Sequence, residues 1–231
     1  MSYRLIIFDW DGTLIDSEVH IVSCFQKAAL DLELAPLSRA TVRNIIGLGL
    51  MESSVVLFPD SDNATRQAVI ERYRYHYFLG SEPAPSSLFP GVEETLRHFH
   101  DSGYLLAVAT GKSRRGLDRA LRETNLGRFF HITRCADETK SKPDPLMLQE
   151  ILEELDTASE YAVMVGDTEY DMEMAHNVAM PRIAMTYGVH EVERLRRWGP
   201  LACLDDFPGL RAWFDGPVHG AKSNLQPQRS G

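Results

Sequence analysis

Phe8-Asp-Trp-Asp-Gly-Thr-Leu-Ile-Asp-Ser-Glu18 places two acids, Asp9 and Asp11, one residue apart at the end of an apolar run, with Gly12-Thr13 directly behind them. A short apolar run bounded by a turn signal reads as a buried strand. The two carboxylates therefore fall just past a strand's carboxyl end, where open α/β sheets gather their ligands. Like charges this close repel unless a cation or a proton sits between them. A lone Asp-x-Asp is most simply a turn or a helix cap. A calcium loop of the EF-hand kind is excluded, because Leu14 holds the position that needs Gly and His20 the one that needs Glu.

Outward from this stretch, short apolar runs alternate with amphipathic ones, the pattern of a parallel sheet built from βαβ units. Strands are expected at residues 4–8, 104–109, 130–134, 161–165, 182–185 and 201–204, with helices at 113–123, 145–155, 169–177 and 191–197. The rhythm breaks after the first strand. The passage to the second reads as helices at 17–32, 39–46, 51–57 and 63–79, far more chain than a crossover needs. The expected organisation is a Rossmann-like α/β core from residues 1–16 and 84–215, with a helical cap inserted at 17–83. Glu82-Pro-Ala-Pro-Ser-Ser87 reads as a semi-rigid return linker, and 216–231, rich in Gly, Pro, Gln and Ser, as a disordered tail.

Three further stretches carry chemistry. Val163-Met-Val-Gly-Asp-Thr-Glu-Tyr-Asp171 runs a strand into a Gly-Asp turn and a helix, with Asp171 spaced to share a face with Asp167. Alone, Asp167 reads as the N-cap of that helix; beside Asp9 and Asp11 it is a candidate third carboxylate around Mg2+, a hard ion that takes oxygen ligands. Ala109-Thr-Gly-Lys-Ser113, at a strand end and a helix start, offers a hydroxyl and backbone N–H groups to a phosphate. It is not a P-loop, since Leu106 stands where that motif needs its first Gly. Gly47-Leu-Gly-Leu-Met-Glu52 likewise fails as a dinucleotide loop. In Lys142-Pro-Asp-Pro145 the lysine would ordinarily be solvated, but the flanking prolines restrain it.

Together Asp9-x-Asp11-Gly-Thr-Leu-x-Asp16-Ser, Thr110-Gly111, Lys142-Pro-x-Pro145 and Gly166-Asp167-x-x-x-Asp171 resemble the haloacid dehalogenase superfamily, over residues 4 to about 210. The pattern is most similar to the members that act on phosphoglycolate. The resemblance implies a phosphatase with Asp9 as nucleophile, forming an aspartyl-phosphate, and Asp11 as general acid and then base. It implies Mg2+ held by Asp9, the Asp11 carbonyl and Asp167, with Asp171 orienting that shell, and phosphoryl oxygens bound by Thr110, Gly111 and Lys142. Dehalogenases of the superfamily lack the second acid, and the phosphonate-cleaving members need a cap lysine for which only Lys27 is present. Sugar-phosphate mutases share the acids but place an arginine soon after the cap-loop glycine, where Leu50 and Met51 stand here. A nucleotide or pyrophosphate phosphatase, or a non-catalytic binding protein on the same fold, are the other readings.

Composition narrows the partners. The chain has 231 residues, 44% hydrophobic and 25% charged, with a formal net charge of -9, which argues against a phosphate-backbone binder. No apolar run approaches a membrane span, and Cys24, Cys135 and Cys203 are too dispersed for a disulfide framework or a zinc knuckle. A cytoplasmic monomer or homodimer acting on a small phosphorylated substrate is expected, without nucleic acid or membrane. 2-Phosphoglycolate is the expected substrate: Arg43 would supply a charge for its carboxylate, Gly47 would permit close approach, and no aromatic cluster stands near that loop to stack on a base.

Overall fold

The computed structural model describes residues 3–80 and 86–216. Most of the expected return linker and, Gly216 aside, the expected disordered tail lie outside them. In chain order the strands are β1 (Leu5–Phe8), β2 (Ile15–Asp16), β3 (Ser87–Leu88), β4 (Leu105–Thr110), β5 (Ile132–Cys135), β6 (Ala162–Gly166), β7 (Arg182–Met185) and β8 (Ala202–Leu204). The helices are α1 (Glu18–Asp31), α2 (Arg39–Arg43), α3 (Leu50–Leu57), α4 (Asn63–Leu79), α5 (Val92–Asp101), α6 (Arg114–Thr124), α7 (Leu146–Glu154), α8 (Glu169–His176), α9 (Val192–Arg196) and α10 (Phe207–Asp215).

Among the described residues a parallel six-stranded sheet runs β5-β4-β1-β6-β7-β8. β1 lies between β4 and β6, with Leu5 opposite both Leu105 and Ala162. Its four residues are all buried because both sheet faces are covered. Alternation along the strand sends Leu5 and Ile7 against Met147, Leu148 and Ile151 of α7 and Met174 of α8. Ile6 and Phe8 face the other way, onto Leu96 and Phe99 of α5, Leu117 of α6 and Phe214 of α10. The chain winds from β1 out to β4 and β5, then crosses back to β6, β7 and β8, so the direction reverses beside β1. Such a reversal opens a crevice at the strands' carboxyl ends.

Helices α1 to α4 form a separate layer over that end, closed by their own cluster of Ile21, Phe25, Val42, Leu57, Val69 and Tyr73. The expected helix over 39–46 stops at Arg43. Its continuation tightens into three-residue turns, Ile45 N to Val42 O and Ile46 N to Arg43 O, which turn the chain toward Gly47. Three features were not anticipated from sequence: α5, α10, and the antiparallel pairing of β2 with β3, which ties the chain entering the insert to the chain leaving it. No helix of the described residues is long and apolar enough to cross a membrane.

Candidate active site

Asp9 follows β1 and Asp167 follows β6, two neighbouring strands in register, so the sheet itself brings the carboxylates together. Carboxylate oxygens of Asp9, Asp167 and Asp171 lie within 4.8 Å of one another, and all three residues are buried. Gly12 lets the turn after Asp11 pass over this cluster. Its φ of +87° suits glycine, and a Cβ there would collide with the Asp167 carboxylate.

Each acid except Asp9 is held by fixed donors. Asp167 accepts from the Thr13 hydroxyl at 2.6 Å and from the Val189 N–H at 2.8 Å. It is thus turned toward Asp9 and does not cap α8; the cap falls to Thr168, correcting the N-cap reading. Thr168 and Asp171 form a reciprocal capping box, and Asp171 Oδ2 accepts from the Thr168 N–H and hydroxyl at 3.0 and 2.7 Å. The other Asp171 oxygen meets Lys142 Nζ at 2.6 Å. Lys142 is fully buried, and its ammonium also lies 2.7 Å from Asp9 Oδ1. Neither Asp9 oxygen receives an aligned hydrogen bond.

The electrostatics follow from that geometry. Burial, then the charges of Asp171 and Asp167, push the Asp9 carboxyl well above the ordinary range despite Lys142. Burial and Asp171 raise Asp167 to about 7. For Lys142 burial acts downward, but Asp171 and Asp9 outweigh it and hold the ammonium above the usual lysine value. Three buried carboxylates share one buried ammonium here. A buried anion without a full set of partners is costly, so the arrangement has room for a further positive charge. A cluster of carboxylate oxygens with an unsaturated member could hold a hard divalent cation, and Asp9 and Asp167 are the residues whose chemistry suits Mg2+.

Asp11 points elsewhere. Its Oδ1 accepts from the Ser17 hydroxyl at 2.7 Å and from Lys112 Nζ at 2.9 Å, while Oδ2 accepts from Lys112 at 2.8 Å. Lys112 Nζ also donates to the Tyr77 hydroxyl of α4 at 3.0 Å, so one ammonium joins Asp11 to the helical insert. Burial acts against that ammonium, yet Asp11 and then Tyr77 more than offset it and keep it charged. Sequence reasoning named Thr110 and Gly111 but passed over Lys112, dismissing it along with the P-loop. Its one signal was its place directly after Thr110-Gly111 at a strand end.

Thr110 ends β4 buried, its hydroxyl accepting from the Lys112 N–H at 3.2 Å. Gly111 lies under the insert's loop, where a Cβ would run into the carbonyls of Gly47 and Leu48. The insert is further pinned to the core by Gly49 N–H to Ser141 Oγ at 2.7 Å, Tyr170 hydroxyl to Asn44 O at 2.7 Å and Arg194 to Asn44 Oδ1 at 2.8 Å. Between the two layers a cavity is lined by Asp9, Asp11, Thr110, Gly111 and Lys112 below. Gly47, Leu48, Leu50, Phe25, Tyr73 and Tyr77 line it from the insert.

Arg43 is not among the lining residues. It is drawn to Glu18 at 3.2 Å and donates to the carbonyl of Val189 at 3.0 Å, which corrects the expectation that it faces a substrate carboxylate. The expectation that no aromatic cluster stands near the Gly47 loop fails as well. Phe25, Tyr73 and Tyr77 are distant from it in sequence but border the same cavity, because α1 and α4 pack beside that loop.

A parallel sheet whose winding reverses over two buried acids, with a third acid from the first turn of α8 and a buried lysine from the loop before α7, defines a class. Residues 6–185 match the family model described as haloacid dehalogenase-like hydrolase, and the chain belongs to that family. Within it, the chain is 34% identical over 206 residues to a Dickeya dadantii protein named "Probable phosphatase IndB", covering 88% of this chain and 90% of the other. It is 31% identical to the phosphoglycolate phosphatase of Rhodospirillum rubrum, over 94% and 93% of the two chains. A crystal structure of a Clostridium acetobutylicum protein titled a predicted phosphatase superimposes with a TM-score of 0.81 at 25% identity, over 93% of this chain and 99% of that one.

Proposed function

We propose that the protein is a Mg2+-dependent phosphomonoesterase that works through an aspartyl-phosphate on Asp9. The observation that carries this reading is the state of Asp9: buried at a strand end, beside Lys142 and Asp167, with neither oxygen satisfied by an aligned donor. A carboxylate kept unsaturated beside a buried ammonium is suited to attack an electrophile that arrives with its own negative charge.

Asp9, Asp167 and the backbone carbonyl of Asp11 would hold Mg2+, with Asp171 steering Lys142 through their 2.6 Å contact. Bound there, the ion would supply positive charge that offsets the repulsion between two anions. Lys142 offsets the remaining charge from the opposite contact, and Thr110 with the N–H groups of the following turn receives phosphoryl oxygens. Asp9 attacks phosphorus, the phosphorus–oxygen bond to the alcohol breaks, and Asp11 gives that oxygen its proton. Asp11, now a carboxylate, takes a proton from water as the water attacks the aspartyl-phosphate, which frees phosphate and restores Asp9. Lys112 and Ser17 fix the direction of the Asp11 carboxyl for both transfers. Helices α1 to α4 act as a cap that covers this chemistry and excludes bulk water.

The test is phosphate release from acetyl phosphate and a panel of phosphomonoesters that includes 2-phosphoglycolate, with Mg2+ and then with excess chelator. Release that disappears with the chelator and returns with Mg2+ is expected. Undiminished release in chelator overturns the metal assignment, and a second phosphorylated sugar formed from β-glucose 1-phosphate would favour the mutase.

A further inference from the structure

We infer, resting on the metal assignment proposed above, that Arg43 of the insert is a positioning residue for the metal ligand Asp167, acting through the backbone of Gly188-Val189. Asp167 accepts from the Val189 N–H at 2.8 Å. Arg43 Nη2 donates to the carbonyl of that same residue at 3.0 Å and to the Gly188 carbonyl at 3.4 Å. The Gly188 carbonyl and the Val189 N–H belong to one planar peptide unit, so a donor held on the oxygen fixes where the hydrogen points. Donation to that oxygen also polarises the unit and strengthens its N–H toward the carboxylate.

The backbone between the two side chains has no room to absorb a shift. A Cβ on Gly188 would collide with the Asp167 carboxylate, so this stretch of chain runs directly against it. Arg43 is also fixed from its other side, where Glu18 Oε2 stands 3.2 Å from its Nε. A charged donor bonds a neutral carbonyl more strongly than a neutral one does, which suits an arginine to this place.

Two neighbours separate this part from plain attachment of the insert. Asn44 is the seat: its carbonyl accepts from the Tyr170 hydroxyl at 2.7 Å and its Oδ1 from Arg194 at 2.8 Å, contacts that leave the Gly188-Val189 peptide alone. Arg39, one turn before Arg43 on α2, pairs with the same Glu18 at 2.6 Å but is 65% exposed, the ordinary surface ion pair of little consequence. Arg43 differs from both in gripping the backbone that holds Asp167.

The experiment titrates Mg2+ into the substrate-free full-length protein by calorimetry and records its metal-free melting temperature, for the wild type, Arg43→Ala, Arg39→Ala and Tyr170→Phe. Arg43→Ala is expected to raise the Mg2+ dissociation constant threefold or more, with Arg39→Ala and Tyr170→Phe within twofold of the wild type. By charge alone, removing a cation near a metal site would tighten Mg2+ binding, so a weakening is the mark of lost positioning. A purely structural part would lower the melting temperature and leave the dissociation constant of the folded protein where it was. A rise below threefold, or any fall, in Arg43→Ala overturns the inference, and so does an equal rise in Tyr170→Phe, which would assign the effect to the seating of the insert. Should Arg43→Ala not fold, Arg43→Gln, which keeps part of the stem, carries the same expectation and the same threshold. A wild type that binds no Mg2+ defeats the metal assignment and the inference with it, whereas binding that none of the variants changes defeats the inference alone.

Discussion

The floor and the roof of the cavity are built on opposite plans. The floor, from the ends of β1, β4 and β6, is charged and buried; Asp167, Asp171, Lys142 and Asp11 each have named donors or acceptors, and Asp9 alone is left open. The roof, from α1, α3 and α4, is mostly aromatic and aliphatic, and its Tyr77 hydroxyl is tied to the floor through Lys112. A surface whose charges are mutually fixed can stabilise only one distribution of charge, which suits a reaction. A largely apolar surface discriminates chiefly by shape, which suits choice among leaving groups. Chemistry and selection are thus separated by layer.

The floor should fail abruptly when changed. Asp9→Asn removes the attacking oxygen and is expected to abolish turnover, by about 10^4-fold or more. Asp11→Asn should follow with about 10^2- to 10^4-fold, the range of a lost proton transfer. Single-turnover phosphate release checks both, and a variant of Asp9 with native turnover would move the attack to water or to another residue.

Lys112 joins floor to roof, so its loss probes the boundary between them. Lys112→Met keeps the length of the stem but frees Asp11 and Tyr77 together. We expect kcat on acetyl phosphate to fall by about tenfold to a hundredfold, as for a misdirected catalytic group. Tyr77→Phe removes only the contact to the insert and is expected to cost about 1 kcal/mol or less. If the two variants behave alike, Lys112 serves the roof alone.

The smallest effect is on stability without metal. Burial and neighbouring acids raise Asp9 and Asp167, the latter to about 7, above their unfolded values near ~4. The folded state therefore binds more protons than the unfolded state across that interval, and stability falls as pH rises from about 4 to about 7. The expected loss is on the order of a few kcal/mol at most. Mg2+ binds the ionised acids and should reverse the trend, becoming more stabilising as pH rises. Thermal melts at graded pH, with and without Mg2+, check the sign; a metal-free protein that gains stability across this interval would contradict it.

What could be read from the sequence follows the same division. Asp9, Thr110 and Asp167 were legible because each sits at or just past the end of an apolar strand in a short motif, and neighbouring strands bring such ends together. The parallel core and the four helices of the insert were legible for a similar reason, since buried strands and amphipathic helices have distinct periods. Helix α10 was missed because Phe207-Pro208-Gly209 looks like a turn; in fact Asp206 caps the Gly209 N–H and Pro208 sits in the first turn, where it lacks nothing. Lys112 and the aromatic residues bordering the cavity were missed for a different cause. Lys112 is 101 residues from Asp11 and 35 from Tyr77, and no local pattern encodes which face of α4 comes down onto β4.

The pairing of Ile15 with Leu88 and of Asp16 with Ser87 has a consequence for engineering. The insert leaves and rejoins the sheet through one doorway, two strands wide, and the ends of the intervening chain are held side by side whatever it contains. Closing a loop between anchored ends costs entropy that grows only slowly with its length. The segment between Asp16 and Ser87 is therefore a cassette. Grafting a roof from another member of the family onto this doorway should change which alcohol is released while the parallel sheet and its carboxylates stay as they are.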